Sequence, residues 1–472
     1  MNMQIAGPTI ERLKKAVGAG GFSEDPSEIA PHLVEWRGRY HGRTPLLLKP
    51  KSTTDISAVL SICNETRTPI VPQGGNTGLV GGQIPLDGEI LLSLERMNRV
   101  RSLDAHEMSA IAEAGVVLAE LQRAADDAGA FFPLSLAAEG SATIGGNVST
   151  NAGGVTVLRY GSARQLVLGL EIVLADGRVL NLLRTLHKDN TGYDLKQLFI
   201  GAEGTLGVIA AAAMRLFPKS RAKETALIAV PDPAAAAELL CRLAHATGGL
   251  VSSFELIPRI SVELVRAHIP QTIDPLAVTS PWYALVEVSG GGEIPLKEVF
   301  EGAVSRAIDS GLATDATLAS NEAQRAALWR LRESLSEAQK REGASLKHDV
   351  SVPLHSIPEF LLRGCAAVQA IIPGARPVPF GHLGDGNIHF NVSAPKAGDA
   401  AGFLAHRDEV ARAIHDLVHE FGGSISAEHG LGIMKRDEIT RYKSMIELDV
   451  MRTLKRTLDP NNILNPGKVV RV

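Results

Sequence analysis

The chain has 472 residues, a net charge of −4, 45% hydrophobic residues and 21% charged residues. That length asks for two or three domains, and the mixed charge gives no electrostatic case for nucleic acid or an anionic membrane surface. Cys63, Cys241 and Cys365 are scattered and form no CxxC pair, which reads as free thiols in a reducing compartment.

The N-terminal stretch MNMQIAGPTIERLKKAVG carries no signal-peptide pattern, and no run of 18 apolar residues occurs. The expectation is a soluble, cytoplasmic protein. Helical periodicity marks 9–17, 54–66, 118–128, 233–247, 323–342, 405–420 and 449–458. Strand-like runs fall at 46–50, 90–94, 109–115, 170–177, 207–216, 226–230, 282–288, 349–353 and 388–392. Asp87-Gly88 and Asp176-Gly177, each between apolar runs, predict hairpins. The mix is α+β with antiparallel pieces. Glycine density falls and helices lengthen across FPKSRAKE (217–224), which places a domain boundary there. The predicted division is an N-terminal helical segment (1–42), a first domain (43–220), a second (221–420) and a C-terminal segment (421–472).

Three glycine-rich loops lie in the first domain. VPQGGNTGLVGG (71–82) holds five glycines, whose backbone N–H groups can converge on a phosphate without a lysine. It lacks G-K-[ST], against a P-loop, and is followed by a predicted hairpin where a Rossmann unit needs a helix. GSATIGGNVSTNAGG (140–154) offers hydroxyls, amides and bare backbone to a flat polar cofactor, and GAEGTLGVI (201–209) precedes a strand. One such loop reads as tight turns; three together point to a large ligand with a pyrophosphate.

In the second half, Arg332 and Ser336 stand four apart on a predicted helix face. If SLKHDVSVP is a strand, Lys347, Asp349 and Ser351 share one face. Such cations and hydroxyls suit a substrate carboxylate, although a charged helix face is commonly just solvated. GHLGDGNIHF (381–390) folds tightly enough to bring His382 and His389 together, with Asn391 on the face of His389. Glu428 in SAEHG offers a carboxylate, so a metal with open positions is one reading and a satisfied core histidine the other. Residue type alone leaves zinc, manganese and iron open.

The order and spacing of the three loops, from about Trp36 to Pro218, resemble the two-lobed FAD-binding domain of the vanillyl-alcohol oxidase and p-cresol methylhydroxylase superfamily. From Lys219 onward, LWRLRESLSEAQ, LKHDVSVP, GHLGDGNIHFNV, ISAEHG and DPNNILNPGKV resemble the FAD-dependent D-2-hydroxyacid dehydrogenases, the D-2-hydroxyglutarate dehydrogenases above all. The resemblance implies that Gly74, Gly75, Asn76, Thr77 and Gly78 hold phosphate and that Thr143, Gly146, Asn147 and Ser149 line the flavin. Pro72, Leu79, Ser141, Gly145, Asn151, Gly204, Val208 and Asn465 complete the implied cofactor set. With no histidine in 71–82, non-covalent FAD is expected.

It further implies a divalent metal, usually zinc, on His382, His389 and Glu428. His429 would be the base, and Arg332, Ser336, Lys347 and Asn391 would contact substrate. Ser336 stands where those enzymes carry threonine, so the pocket loses a methyl. Two cations favour a dicarboxylate, D-2-hydroxyglutarate or D-malate, oxidised to the 2-oxo acid with hydride transfer to FAD. D-lactate or glycolate dehydrogenase on the same scaffold, a metal hydrolase and a non-catalytic flavin-binding protein are the rivals. The implied electron acceptor is electron-transfer flavoprotein or a quinone, and a homodimer is left open. The expected architecture adds a substrate domain with an antiparallel sheet flanked by helices.

Overall fold

The structure is a computed structural model that describes residues 5–292, 294–396 and 398–472. Residues 1–4 of the expected N-terminal segment lie outside the described residues. The chain forms two compact units. One comprises Met1–Gly153, Gly161–Lys219 and Glu428–Val472; the other comprises Gly154–Tyr160 and Ser220–Ala427. The division of the chain is therefore not a simple succession: described residues 5–42 and the last 45 join the glycine-rich unit, and the seven residues 154–160, which begin with the last glycine of its second loop, join the other.

In the first unit, β1 (Phe22–Ser23), β2 (Leu47–Leu48), β3 (Ile70–Gln73) and β4 (Ile90–Ser93) form a sheet in the order β1-β2-β4-β3. The helix Thr53–Thr66 starts where the Ser52 hydroxyl accepts from the Asp55 N–H, and its buried Ile56, Val59, Leu60 and Cys63 pack with Ile70, Ile90 and Leu92. β4 pairs in parallel with both β2 and β3, which corrects the hairpin expected at Asp87-Gly88. The chain turns there, but both neighbours of β4 are earlier parallel strands, a tertiary choice that local turn chemistry does not encode.

A second sheet of this unit has the order β5-β6-β10-β8-β9 and is antiparallel throughout. Its strands are β5 (Val100–Asp104), β6 (Ser109–Glu113), β8 (Val167–Val173), β9 (Val179–Leu182) and β10 (Val208–Arg215). Here Asp176-Gly177 does make a hairpin, with Gly177 at φ +86°. β7 (Ala130–Phe131) and β11 (Phe217–Pro218) form a small separate pair.

The second unit is built on one seven-stranded antiparallel sheet, in the order β15-β12-β14-β13-β17-β18-β16. Its strands are β12 (Ala222–Val230), β13 (Val251–Pro258), β14 (Trp282–Gly290), β15 (Asp315–Leu318), β16 (Ser345–Ser351), β17 (Arg376–His382) and β18 (Asn387–Ser393). Helices with one apolar face cover it, among them Pro233–Ala246, which buries Leu239, Leu240 and Leu243. The helix expected over 323–342 is two, Glu322–Glu333 and Leu335–Glu342. Among the described residues, no helix is long and apolar enough to cross a membrane.

Candidate functional site

In the glycine-rich unit the three loops line one cleft of about 270 Å³. The first loop contributes Pro72, Gly74, Gly75, Asn76, Thr77, Gly78 and Leu79; the second, Thr143, Gly145, Gly146, Asn147 and Ser149; the third, Gly204 and Val208. The Thr143 side chain caps the helix Ile144–Thr150 by accepting from the Gly146 N–H at 3.4 Å. A Cβ on Gly74 would strike the Thr143 hydroxyl, and one on Gly75 the Ser141 carbonyl, so both positions admit only glycine.

Among the described residues, the N–H groups of Gly74 to Leu79 donate to no protein acceptor. A row of unused donors in a glycine turn is what a pyrophosphate requires. Asn147 is buried and lines the cleft, and among the described residues its Nδ2 has no partner, which suits a flavin ring carbonyl.

Several expected cofactor residues do other work. The Asn76 amide donates to the carbonyls of Pro31 and Val34, at 3.2 and 3.0 Å, and accepts from Gln83, so it braces the loop and only its backbone is open. Asn151 caps its helix in the left-handed region at φ +51° and accepts from Ser162 and Arg164. Asn465 ties the carbonyls of Gly82 and Glu203 together, each at 2.8 Å. Ser141 presents only its carbonyl against Gly75. None of Asn151, Asn465 and Ser141 lines the cleft; their polar side chains suggested ligand contacts, but Asn465 and Ser141 donate to loop and turn carbonyls and Asn151 accepts from Ser162 and Arg164.

Glu428 and His429 do line it, with His429 Nε2 3.9 Å from Glu428 Oε1. Glu203 was missed. It is buried, lines the cleft and accepts from the N–H groups of Leu431 and Gly432.

In the second unit the sequence-predicted residues gather on one face of the sheet. The register sets Ser351, Asn387, His382 and Glu255 in one row across β16, β18, β17 and β13. The next row is Asp349, His389 and Phe380, and the next Lys347, Asn391 and Val378. Directly opposed residues share a face, so these polar groups stand on one face of the sheet, with Phe380 and Val378 among them. The turn Leu383–Asp385, closed by Gly386 at φ +83°, reverses the chain between the two histidines. Their ring centroids stand 5.4 Å apart. His389 Nδ1 is 3.8 Å from Asp349 Oδ1, which itself accepts from Asn387 Nδ2 at 2.9 Å.

Glu255 has no signal of its own except a carboxylate inside an apolar strand, and it is fully buried. Its Oε1 lies 2.5 Å from His382 Nδ1 and its Oε2 accepts from Arg332 Nε at 2.6 Å. Burial pushes its carboxyl up, but the charges of Arg332 and His382 and their hydrogen bonds outweigh that and hold it at about 2. Arg332 is buried, with its guanidinium 4.8 Å from the Phe380 ring centroid. Among the described residues its Nη1 and Nη2 make no protein hydrogen bond.

Ser336 does not join Arg332. The helix breaks at Ser334, and Ser336 is exposed while Arg332 is buried. Gln339, one turn on, points inward instead: it is fully buried and accepts from Asn391 Nδ2 at 2.7 Å.

The profile of FAD binding domains matches residues 44–183, and that of the C-terminal domain of FAD linked oxidases matches residues 219–469. A mitochondrial D-2-hydroxyglutarate dehydrogenase of Bos taurus is 41% identical over 457 residues, spanning 96% of this chain and 81% of its own. A D-2-hydroxyglutarate dehydrogenase of Xanthomonas citri pv. viticola is 36% identical over 462 residues, spanning 98% and 97%. The chain belongs to the FAD-linked oxidases, in the branch of the D-2-hydroxyglutarate dehydrogenases. It is therefore an FAD-dependent oxidoreductase.

The fold is that of the superfamily: the solved structure of p-cresol methylhydroxylase with substrate bound superposes with a TM-score of 0.76 at 16% identity, covering 98% of this chain and 96% of the other. The expected cytoplasmic location is overturned, because the eukaryotic relatives, in Bos taurus and Arabidopsis thaliana among others, are named mitochondrial. Free thiols separate a reducing compartment from an oxidising one, but not one reducing compartment from another.

Proposed function

We propose that this flavoenzyme oxidises D-2-hydroxyglutarate, or the shorter dicarboxylate D-malate, to the 2-oxo acid. The observation that carries the substrate is the open fork of Arg332, a buried guanidinium that spends Nε on Glu255 and leaves both Nη groups unused among the described residues. A fork in that state receives a carboxylate, and the methyl of lactate gives it nothing to hold. Lys347 is assigned to the same distal carboxylate; Ser336, exposed beyond the helix break at Ser334, is left out of it. Asn391, with its Nδ2 committed to Gln339, offers its Oδ1 to the substrate's hydroxy-acid end.

The metal ligands in this reading are His382, His389 and Glu428, and zinc is the ion. Of the donors, the two imidazoles stand near one another, and His382 Nδ1 lies against a carboxylate, so that Nε2 carries the lone pair. When bound, such an ion supplies a Lewis acid that lowers the pKa of the substrate hydroxyl. FAD, held without a covalent link, supplies the acceptor for the C2 hydride. His429 takes the hydroxyl proton on a ring nitrogen. An electron-transfer flavoprotein or a quinone would be the partner that takes up the electrons bound FAD would collect.

Anaerobic titration of the purified yellow protein tests this. D-2-hydroxyglutarate or D-malate is expected to bleach the flavin faster than D-lactate, and L-isomers not at all. Faster bleaching by D-lactate would reverse the substrate assignment.

A further inference from the structure

The polar field of the second unit contains a residue that touches neither a proposed substrate atom nor a proposed metal, yet joins the groups that do. Glu255 sits on β13 directly opposite His382 on β17. It is fully buried, and each of its carboxylate oxygens has one partner of separate duty: Oε1 meets His382 Nδ1 at 2.5 Å, and Oε2 meets Arg332 Nε at 2.6 Å.

We propose that Glu255 is a positioning residue that couples recognition of the substrate's distal carboxylate to the metal-binding state of His382. This rests on the function proposed above and deepens it.

The geometry gives each half of the argument. A carboxylate between a guanidinium and an imidazole is an acceptor on both oxygens, so His382 Nδ1 must donate. The lone pair is then fixed on Nε2, on the far side of the ring, which selects the tautomer a metal needs. On the other oxygen, Glu255 takes the Nε edge of Arg332. The Phe380 ring lies against the guanidinium at 4.8 Å and, on its other neighbour, 5.3 Å from the His389 ring. With its Nε edge taken and Phe380 against it, Arg332 keeps only the Nη1/Nη2 edge for a ligand, and that edge accommodates a carboxylate in two parallel hydrogen bonds.

One rigid anion thus aims two groups. Displacing it would misalign both, whereas an ordinary structural ion pair would affect neither metal nor substrate choice. A buried Glu–Arg pair is weak evidence for stability in itself; its placement between the two functional groups is what gives it a role.

The test is Glu255→Gln in the full-length, FAD-loaded protein, with two readouts beside activity. The first is zinc affinity, by competition with a chromogenic chelator. The second is the ratio of kcat/KM for D-2-hydroxyglutarate to that for D-lactate. Zinc affinity is expected to fall about 10- to 100-fold and the ratio by about tenfold or more, with flavin occupancy unchanged. Where the glutamine variant does not fold with FAD bound, Glu255→Asp is measured in its place. It keeps the charge but is too short to reach both partners, and it too is expected to lower zinc affinity or the ratio. Unchanged zinc affinity together with an unchanged ratio overturns the proposal. A wild-type protein that binds no zinc, or prefers D-lactate, overturns the proposed function and this inference with it.

Discussion

Glu203 Oε1 accepts from the backbone N–H of Leu431 at 2.7 Å, and its Oε2 from Gly432 at 2.9 Å, so a buried carboxylate clamps the turn that follows His429. Its own backbone is left-handed at φ +51°, a conformation an L-residue holds only under constraint. Burial pushes its carboxyl up to about 7, against those two hydrogen bonds and the charges of Lys435 and Lys468. The folded-state pKa lies above the ordinary 4.5, so the folded chain binds this proton more tightly than the unfolded chain does. The stability it contributes is full below about pH 4.5 and is lost as pH rises through about 7, on the order of 3 kcal/mol in all. Glu203→Gln removes the ionisation. The unfolding free energy of the variant relative to wild type should therefore climb across that window, with a constant offset for the lost acceptor. Urea melts at stepped pH measure it, and a difference that stays level with pH would refute the burial argument.

Gly75 backs onto the carbonyl of Ser141 in the second loop, whose N–H donates to the Ala138 carbonyl and ties that part of the loop in place. A methyl at Gly75 must push the first loop out of the cleft. Gly75→Ala is expected to lower FAD affinity at least about tenfold, roughly 1.4 kcal/mol, read as the flavin-to-protein absorbance ratio after gel filtration. Gly140→Ala is the control, since nothing lies within 4 Å of its would-be Cβ. Equal flavin content in the two variants would remove the phosphate cradle from the first loop.

How much of this was legible in the sequence depends on range. Glycine loops and long periodic segments were readable because their signals are local: the helix over 53–66 and the strand over 208–215 stand nearly where the pattern put them. His382 and His389 were readable as a pair because they stand seven positions apart with a tight turn at 383–386 between them. Ser336 was not, because no proline or glycine marks the break at Ser334, and Leu331, Leu335 and Ala338 continue the apolar stripe through it. β13 was missed altogether. Its buried Ser252, Ser253 and Glu255 dilute the apolar run, and only the tertiary partners of Glu255 explain a carboxylate there. The parallel pairing of β4 and the transfer of residues 154–160 to the other unit are topological and leave no local trace.

Gln339 takes the place that Ser336 was expected to fill beside the substrate residues. Its Oε1 fixes the Asn391 amide, with both side chains buried. Gln339→Leu keeps the volume and strands the Asn391 Nδ2, which costs about 1–3 kcal/mol if that donor stays buried. The amide is then expected to rotate and lose its orientation toward substrate. KM for the 2-hydroxy acid should rise roughly five- to tenfold while kcat changes less, a loss of uniform binding. Gln339→Glu retains an acceptor and should recover part of the KM. If the leucine variant keeps the wild-type KM, Asn391 has no part in holding substrate.

Removing the metal separates the two chemistries proposed for this chain. Among the described residues lining the flavin cradle of the first unit, Glu428 is the one proposed metal ligand, so a strong chelator should abolish hydroxy-acid oxidation while the protein stays yellow. Added zinc should restore turnover. His389→Ala should behave as the chelated enzyme does and resist rescue, because it deletes a ligand outright and leaves Asp349, which is also bonded to Asn387, without the imidazole beside it. The expected loss is about a hundredfold or more in kcat/KM, since both the Lewis acid and its orientation go together. Metal analysis of the purified wild type and variant completes the measurement. Full activity in His389→Ala, or in chelated wild type, would leave the oxidation to flavin and base alone and end the case for a metal.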